Sequence, residues 1–375
     1  MKIAINTLSV IPDKVGGSET FLVNLLQALF KLDKKNDYTL IVCRNNKGIF
    51  DSDFDNVKQL EMDFDNNSRL KRLFFEQIVL PRKIKEMRID LLISPANTGL
   101  LYCPCKTLLI IHDLIYFVFP HYFPLIKRVY LQSLVKYSCW KAGRIAAVSQ
   151  STKEDVIKYV MVEGNKIDVI YEGVNFERFS EVSKKDARNF VEKHYGSKRY
   201  IISLTSLYPH KNNEFLIRAF AKLKKEKGVP QKLFIVGIDP YNKISQLKAT
   251  IASYGMKGEI LYLGRVFSNE LSFLYKGADM SVYLSEYEGF GLPILEAMAS
   301  GCPVLSSNKS SLPEVVGDAG ILVDPSDINS VVDKMGKLLG DNNLREQYIE
   351  KGLVRAREFS WENVGRRLVK LYNLI

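Results

Sequence analysis

Two glutamates eight residues apart, Glu288 and Glu296, bracket the segment Glu-Gly-Phe-Gly-Leu-Pro-Ile-Leu-Glu. The pattern reads as a loop that opens a helix, with Pro293 at its start, where φ is preset and no N–H is lost. Gly289 and Gly291 let backbone approach a ligand closely. The first-turn amides of the helix then face a space where an anion is favoured. A carboxylate at each end of a phosphate cradle suits a ligand with hydroxyls on both sides of its phosphates, and a nucleotide-sugar has that shape. A plain strand-to-helix turn with solvated glutamates shares the pattern, so other residues must decide.

Several other groups could do chemistry. Gly16-Gly17-Ser18-Glu19 follows an apolar run and precedes a helical one, so its amides could cradle a phosphate. His112-Asp113 ends the strongest apolar run, as a site pair or as a capping histidine. Lys211, in Pro209-His210-Lys211-Asn212, could place a compact cation on a diphosphate that gains charge as it leaves. Arg265 is a second such cation after Leu263-Gly264. The aspartates Asp51, Asp53, Asp55, Asp63 and Asp65 form D-x-D spacings in a polar stretch and read as solvated. No G-x-G-x-x-G, Walker A, H-E-x-x-H or C-x-x-C occurs, so dehydrogenase, nucleotide-hydrolase and metal-site readings are weak. A missing G-x-S-x-G elbow argues against a hydrolase triad.

These residues sit where short apolar runs give way to helices, the alternation of βα units and a parallel sheet. Strands are expected at Lys2 to Ile5, Tyr38 to Cys43, Leu91 to Ser94, Thr107 to Ile111, Ile145 to Val148 and Ile167 to Ile170. A second set runs Tyr200 to Leu204, Lys232 to Val236, Ile260 to Leu263, Met280 to Leu284, Pro303 to Ser306 and Ile321 to Val323. The halves divide near Glu172-Gly173-Val174-Asn175. The expected organisation is residues 1–176 as an acceptor-binding domain, 177–359 as a donor-binding domain, and 360–375 as a helix crossing back to the first. Two doubly wound domains would face a central cleft at the carboxyl ends of their strands.

Bulk properties agree. At 375 residues the chain exceeds one ordinary core. It is 46% hydrophobic and 25% charged, hence globular, and a formal net charge of +11 implies an anionic partner or surface. Its five cysteines lack framework spacing and read as reduced thiols in a cytosolic protein. No secretory signal is expected, and no apolar run reaches the ~18 residues of a membrane span. Basic residues interleave with aromatics from Arg69 to Arg88 and from Tyr116 to Trp140, which suits an anionic membrane surface, nucleic acid, or helices with solvated lysines.

Together these residues resemble glycosyltransferase family 4, the retaining group 1 glycosyltransferases of GT-B fold. The most specific match is Glu288 to Glu296, the family's E-x7-E motif. It is supported by Ala297 to Val304, Leu312 to Gly320, Gly16-Gly17-Ser18-Glu19 and His112-Asp113-Leu114. The last resembles mannosyltransferase-like enzymes of surface polysaccharide assembly. The resemblance implies that Glu288 contacts the donor sugar, amides of Gly289, Phe290, Gly291 and Leu292 its phosphates, and Glu296 the ribose. It implies Lys211 on the diphosphate, Gly16 and Gly17 in the donor-phosphate loop, and His112 beside the anomeric centre. The implied activity is retaining, metal-independent transfer from a GDP- or UDP-sugar to a glycan or lipid-linked acceptor. It would occur in the cytoplasm at the inner face of the plasma membrane, with peripheral membrane contact, no cofactor and no nucleic acid. A GT-B nucleotide-sugar epimerase and a non-catalytic anionic-surface binding protein are the alternatives. Two positions depart from the family: His210 stands where arginine is usual, and the linker reads Glu172-Gly173-Val174-Asn175 in place of Asn-Gly-Val-Asp, a change expected to lie apart from the chemistry.

Overall fold

The computed structural model describes residues 1–11 and 17–375, leaving aside the side chains of Ser18 and Ser268. The chain forms two units, Met1–Gly173 together with Trp361–Ile375, and Val174–Ser360. Each is a parallel sheet with helical crossovers, because its central strands are apolar and need cover on both faces.

The first sheet has seven strands: β1 (Lys2–Asn6), β2 (Asp37–Cys43), β3 (Val57–Met62), β4 (Leu91–Ser94), β5 (Lys106–Ile111), β6 (Arg144–Ala147) and β7 (Ile167–Val169). The second has six: β8 (Tyr200–Leu204), β9 (Lys232–Val236), β10 (Ile260–Gly264), β11 (Met280–Tyr283), β12 (Val304–Ser307) and β13 (Ile321–Val323). The spatial orders are β3-β2-β1-β4-β5-β6-β7 and β10-β9-β8-β11-β12-β13. In each sheet the winding reverses once, between β1 and β4 and between β8 and β11. A crevice opens beyond the carboxyl ends of the strands at such a reversal, and ligands of α/β proteins bind there.

Several strand ends shift by one residue from expectation, and two differences have a clear physical reason. Val57–Met62 pairs with β2 along its whole length yet buries only Met62. An edge strand has one neighbour and needs little apolar pattern, so its period-2 signal is faint. Pro303 lies just outside β12: it has no N–H to pair, and its carbonyl accepts the Ser281 N–H at 2.8 Å.

The Gly17–Leu32 helix buries the face expected of it, Phe21, Leu22, Leu25, Leu26 and Leu29. The Trp361–Tyr372 helix packs on it, with Gly365 at a point where a Cβ would stand 2.9 Å from Leu32 Cδ1. Its end is pinned by polar groups: the Tyr372 hydroxyl donates to Asp33, and Tyr38 donates to the same carboxylate at 2.7 Å. Burial alone would raise the Asp33 carboxyl, but these hydroxyls and Asn36 hold it down at about 2. Among the described residues no helix is long and apolar enough to cross a membrane. The five cysteines are unpaired, with the Cys103 and Cys105 sulfurs 3.5 Å apart before β5.

Candidate functional site

β8 and β11 are neighbours, and both end in loops that carry chemistry. After β8, Pro209–Lys211 makes one short helical turn, closed by Asn212 at φ 59°. After β11, the chain passes through Ser285 and Glu286 to Glu288. The Ser285 hydroxyl and the Glu286 N–H both donate to the His210 carbonyl, at 3.2 and 2.8 Å. That stitch joins the two loops and sets the Lys211 ammonium on the Glu288 carboxylate. Lys211 also donates to the Tyr283 hydroxyl at 3.0 Å, and Tyr283 donates to Glu288 at 2.8 Å, which closes a triangle. An ammonium has three hydrogens, and this triangle uses two.

The glycine loop is strapped from the other side. Ser310 donates to the Glu288 carbonyl at 2.7 Å, and the single Ser311 hydroxyl hydrogen is shared between the Phe290 carbonyl at 2.7 Å and the Glu288 carbonyl at 3.1 Å. Gly291 has φ 120°, and a Cβ there would stand 3.0 Å from Leu312 Cδ2, so only glycine fits without strain. The helix that follows, Leu292–Ala299, has Gly291 as its N-cap and Pro293 in its first turn, one place later than expected. Glu296 lies one turn further in.

The charges here are strongly perturbed. Burial works to raise the Glu288 carboxyl, but the Lys211 ammonium outweighs it and holds Glu288 below its ordinary range. Burial pushes Glu296 up to about 7, against a weaker pull from Arg178. His210 is 6% exposed, stacked on Tyr208, and driven down to about 4 by burial and by the charge of Lys211. It is therefore neutral at pH 7, and Lys211 is the cation of this loop. Arg265 is exposed just beyond β10, the edge strand two places from β8. Gly16 lies outside the described residues, and Gly17 is the exposed first residue of its helix. The aspartates at 51, 53, 55, 63 and 65 are exposed. Among the described residues no cluster of three or more His, Cys, Asp or Glu side chains could hold a metal ion.

In the first unit, β5 delivers His112 to the carboxyl edge. Its Nδ1 lies 3.1 Å from a Glu172 carboxylate oxygen and its Nε2 lies 2.9 Å from the Pro95 carbonyl. Phe21 meets the ring edge-on at 4.6 Å. A carbonyl can only accept, so Nε2 carries a hydrogen; opposite an ionised Glu172, Nδ1 carries one too. Burial lowers the His112 pKa, but the Glu172 carboxylate overrides this and raises it, favouring an imidazolium. Both ring nitrogens are thus committed inside the unit. Glu172, in the linker segment, is the carboxylate that raises the His112 pKa.

The family profile of glycosyl transferases group 1 matches residues 184–355, and that of glycosyltransferase family 4 matches residues 15–178. The O-antigen chain mannosyltransferase B of Escherichia coli is 32% identical over 265 residues, or 70% of this chain and 69% of that protein. The chain belongs to glycosyltransferase family 4. A longer relative, the serotype-specific mannosyltransferase WbdA of Escherichia coli, is 28% identical over 273 residues, 71% of this chain but only 33% of WbdA. Anabaena HepE in complex with UDP and glucose has a TM-score of 0.78 at 17% identity, with 100% of both chains covered. Sucrose-phosphate synthase from Thermosynechococcus elongatus has a TM-score of 0.80 at 18% identity, covering 100% of this chain and 98% of that one. At such identities the likeness is one of fold, and the fold is GT-B.

Sequence reasoning missed several residues of this glycosyltransferase that hold its loops in place. Tyr283 ends an apolar strand and reads as core. Ser285, Ser310 and Ser311 are small polar residues in loops, with a signal only in retrospect: the serine pair directly precedes Leu312-Pro313-Glu314, itself part of the family resemblance.

Proposed function

We propose that this glycosyltransferase moves a mannose-like hexose from a nucleoside-diphosphate sugar to a lipid-linked glycan acceptor in surface polysaccharide assembly, with retention of anomeric configuration. The observation that carries the reading is the Lys211–Tyr283–Glu288 triangle beside the glycine loop at the β8/β11 reversal. The uncommitted hydrogen of Lys211 and the first-turn amides of the Leu292–Ala299 helix take the diphosphate. Glu288 accepts from donor sugar hydroxyls, and Glu296, once ionised, accepts from the ribose. The mannosyltransferases of O-antigen chains among the relatives support the choice of sugar and of pathway.

In the reaction the acceptor hydroxyl approaches the anomeric carbon from the face that the diphosphate leaves. The carbon–phosphate oxygen bond breaks, the new glycosidic bond forms, and the hydroxyl proton goes to the departing phosphate oxygen. Lys211 and the amides stabilise the charge that develops there, so the reading needs no resident metal and predicts that chelator leaves the rate unchanged. In the first unit we assign Glu172 the role of orienting the His112 ring and favouring its charged form. Exposed Leu70, Phe74 and Ile78, beside basic Arg69 and Lys71, and exposed Leu125, Ile126 and Val129, beside Lys127 and Arg128, support peripheral contact with an anionic membrane.

The test is transfer of labelled sugar from GDP- and UDP-sugars to lipid-linked acceptor in membranes. Wild type transfers from one donor, and Glu288→Ala loses at least about 100-fold in rate, the scale of one lost charge-stabilising contact. Wild-type turnover in Glu288→Ala contradicts the reading.

A further inference from the structure

The first unit carries a second built site, at its own winding reversal between β1 and β4. A cavity of about 160 Å³ lies beyond their carboxyl ends. Asn6 closes β1 on one side, and the Pro95–Thr98 segment after β4 forms another wall. The third wall is the helical stretch from Arg69 to Met87, which passes through a π-helical turn at Phe75–Val79. Such turns cost helix regularity and recur at functional sites. This one turns Glu76 into the cavity beside Arg72.

The pair is poorly satisfied where it stands. Glu76 accepts one long hydrogen bond, from the Asn6 amide at 3.4 Å, and its other oxygen lies 3.9 Å from Arg72 Nε. That Nε is buried and, among the described residues, has no hydrogen-bond partner. Burial raises the Glu76 carboxyl above its ordinary range against the pull of Arg72. Both side chains are only partly exposed, and leaving polar atoms there so poorly partnered costs stability, as expected where a ligand completes the set.

We propose that the Asn6–Arg72–Glu76 cavity is the subsite for one neutral hexopyranose, the terminal sugar of the acceptor glycan, with Glu76 the residue that selects it. The charges cancel, so an anionic ligand gains nothing, whereas a sugar hydroxyl both donates and accepts. Glu76 takes hydroxyl hydrogens, Arg72 Nε gives one, and the Asn6 amide is within reach of both roles. Tyr116 and Val135 line the cavity and offer an apolar surface to the sugar's C–H face. Its volume equals that of about five liquid waters, room for one sugar ring. The cavity adjoins His112: Pro95 and Asn97 line it, and these accept from the His112 ring and backbone N–H at 2.9 and 2.6 Å. The role as acceptor subsite rests on the transferase reading above; the sugar site itself does not.

Saturation-transfer NMR on the full chain tests this, with the methyl α-glycosides of mannose, glucose, galactose and N-acetylglucosamine as neutral probes and glucuronate and mannose 1-phosphate as anionic ones. At least one neutral glycoside should bind, the anionic probes should bind more weakly, and excess GDP or UDP should leave the signal in place. Glu76→Gln, which keeps shape and lowers charge, should weaken binding about tenfold, the effect of losing about 1.4 kcal/mol. Thr98→Phe, which fills the cavity from its rim, should abolish it, with circular dichroism confirming that both variants fold. Failure of all neutral probes, preference for the anionic ones, displacement by nucleotide, or unchanged binding in both variants would overturn the proposal. Diphosphate binding measured on the same samples reports separately on the transferase reading.

Discussion

The two units wind their sheets alike and put their chemistry at the same topological point, yet they equip it differently. At β8/β11 the groups come from two loops, stitched by Ser285 and strapped by Ser310 and Ser311, and they meet as a closed triangle on Lys211. At β1/β4 they come from strand ends, a π-turn and a distant linker, and they leave a cavity. Each unit also encloses a carboxylate–cation pair, His112–Glu172 in the first and Lys211–Glu288 in the second, to nearly equal depth. The cations differ in kind: lysine keeps its proton and has a hydrogen to spare, whereas His112 has both nitrogens engaged and can discharge. The contrast separates a site built to receive a charged ligand from one that holds a charge in place.

Lys211→Ala should have the largest effect. It leaves Glu288 buried without its cation, which costs about 3 kcal/mol of stability and should lower transfer at least about 100-fold; thermal unfolding and a rate assay read both. The matched change in the first unit, Glu172→Gln, should cost less because His112 can become neutral. The raised His112 pKa contributes stability that is complete below the ordinary 6.5 and lost as pH rises through the folded value. Unfolding midpoints across pH 5–9 should therefore show that component in wild type and lose it in Glu172→Gln, and the imidazole should titrate lower by NMR. A flat comparison would remove Glu172 from its role.

His210 runs the other way. Its pKa is depressed to about 4, so its contribution is present above 6.5 and lost as pH falls towards 4. Stability should drop on the order of 2–3 kcal/mol over that interval, and His210→Gln should lessen the drop. Gly291→Ala should cost about 2 kcal/mol through strain at φ 120°, seen as a lower unfolding midpoint.

The contrast between the units also explains what could be read in advance. The E-x7-E loop is contiguous, so spacing alone orders its glycines, carboxylates and helix start, and the alternation of apolar runs foretold both sheets except for the polar edge strand β3. Glu172 lies 60 positions from His112, and no local pattern joins them. The stretch from Arg69 to Arg88 mixes basic and aromatic residues in a pattern that a surface and a core-facing helix share; Leu70, Phe74 and Ile78 are exposed, whereas Leu80, Pro81 and Ile84 are buried. Glu76 is the lone acid between Arg69 and Lys85, a faint mark that gains meaning only once β1 and β4 place Asn6 and Asn97 beside it. His210 looked like a weaker arginine; only its burial against Tyr208 shows that it carries no charge.

The most direct test is calorimetric titration of the full chain with GDP and UDP at pH 6 and pH 8, for wild type and Lys211→Ala. One diphosphate should bind wild type, up to about tenfold more tightly at pH 8, because Glu296 is pushed up to about 7 and its ionised form is the stronger acceptor for the ribose hydroxyls. Lys211→Ala should weaken that binding by about 100-fold, or about 2.8 kcal/mol. If neither diphosphate binds wild type, or if Lys211→Ala binds as well as wild type does, the β8/β11 triangle is not the donor site.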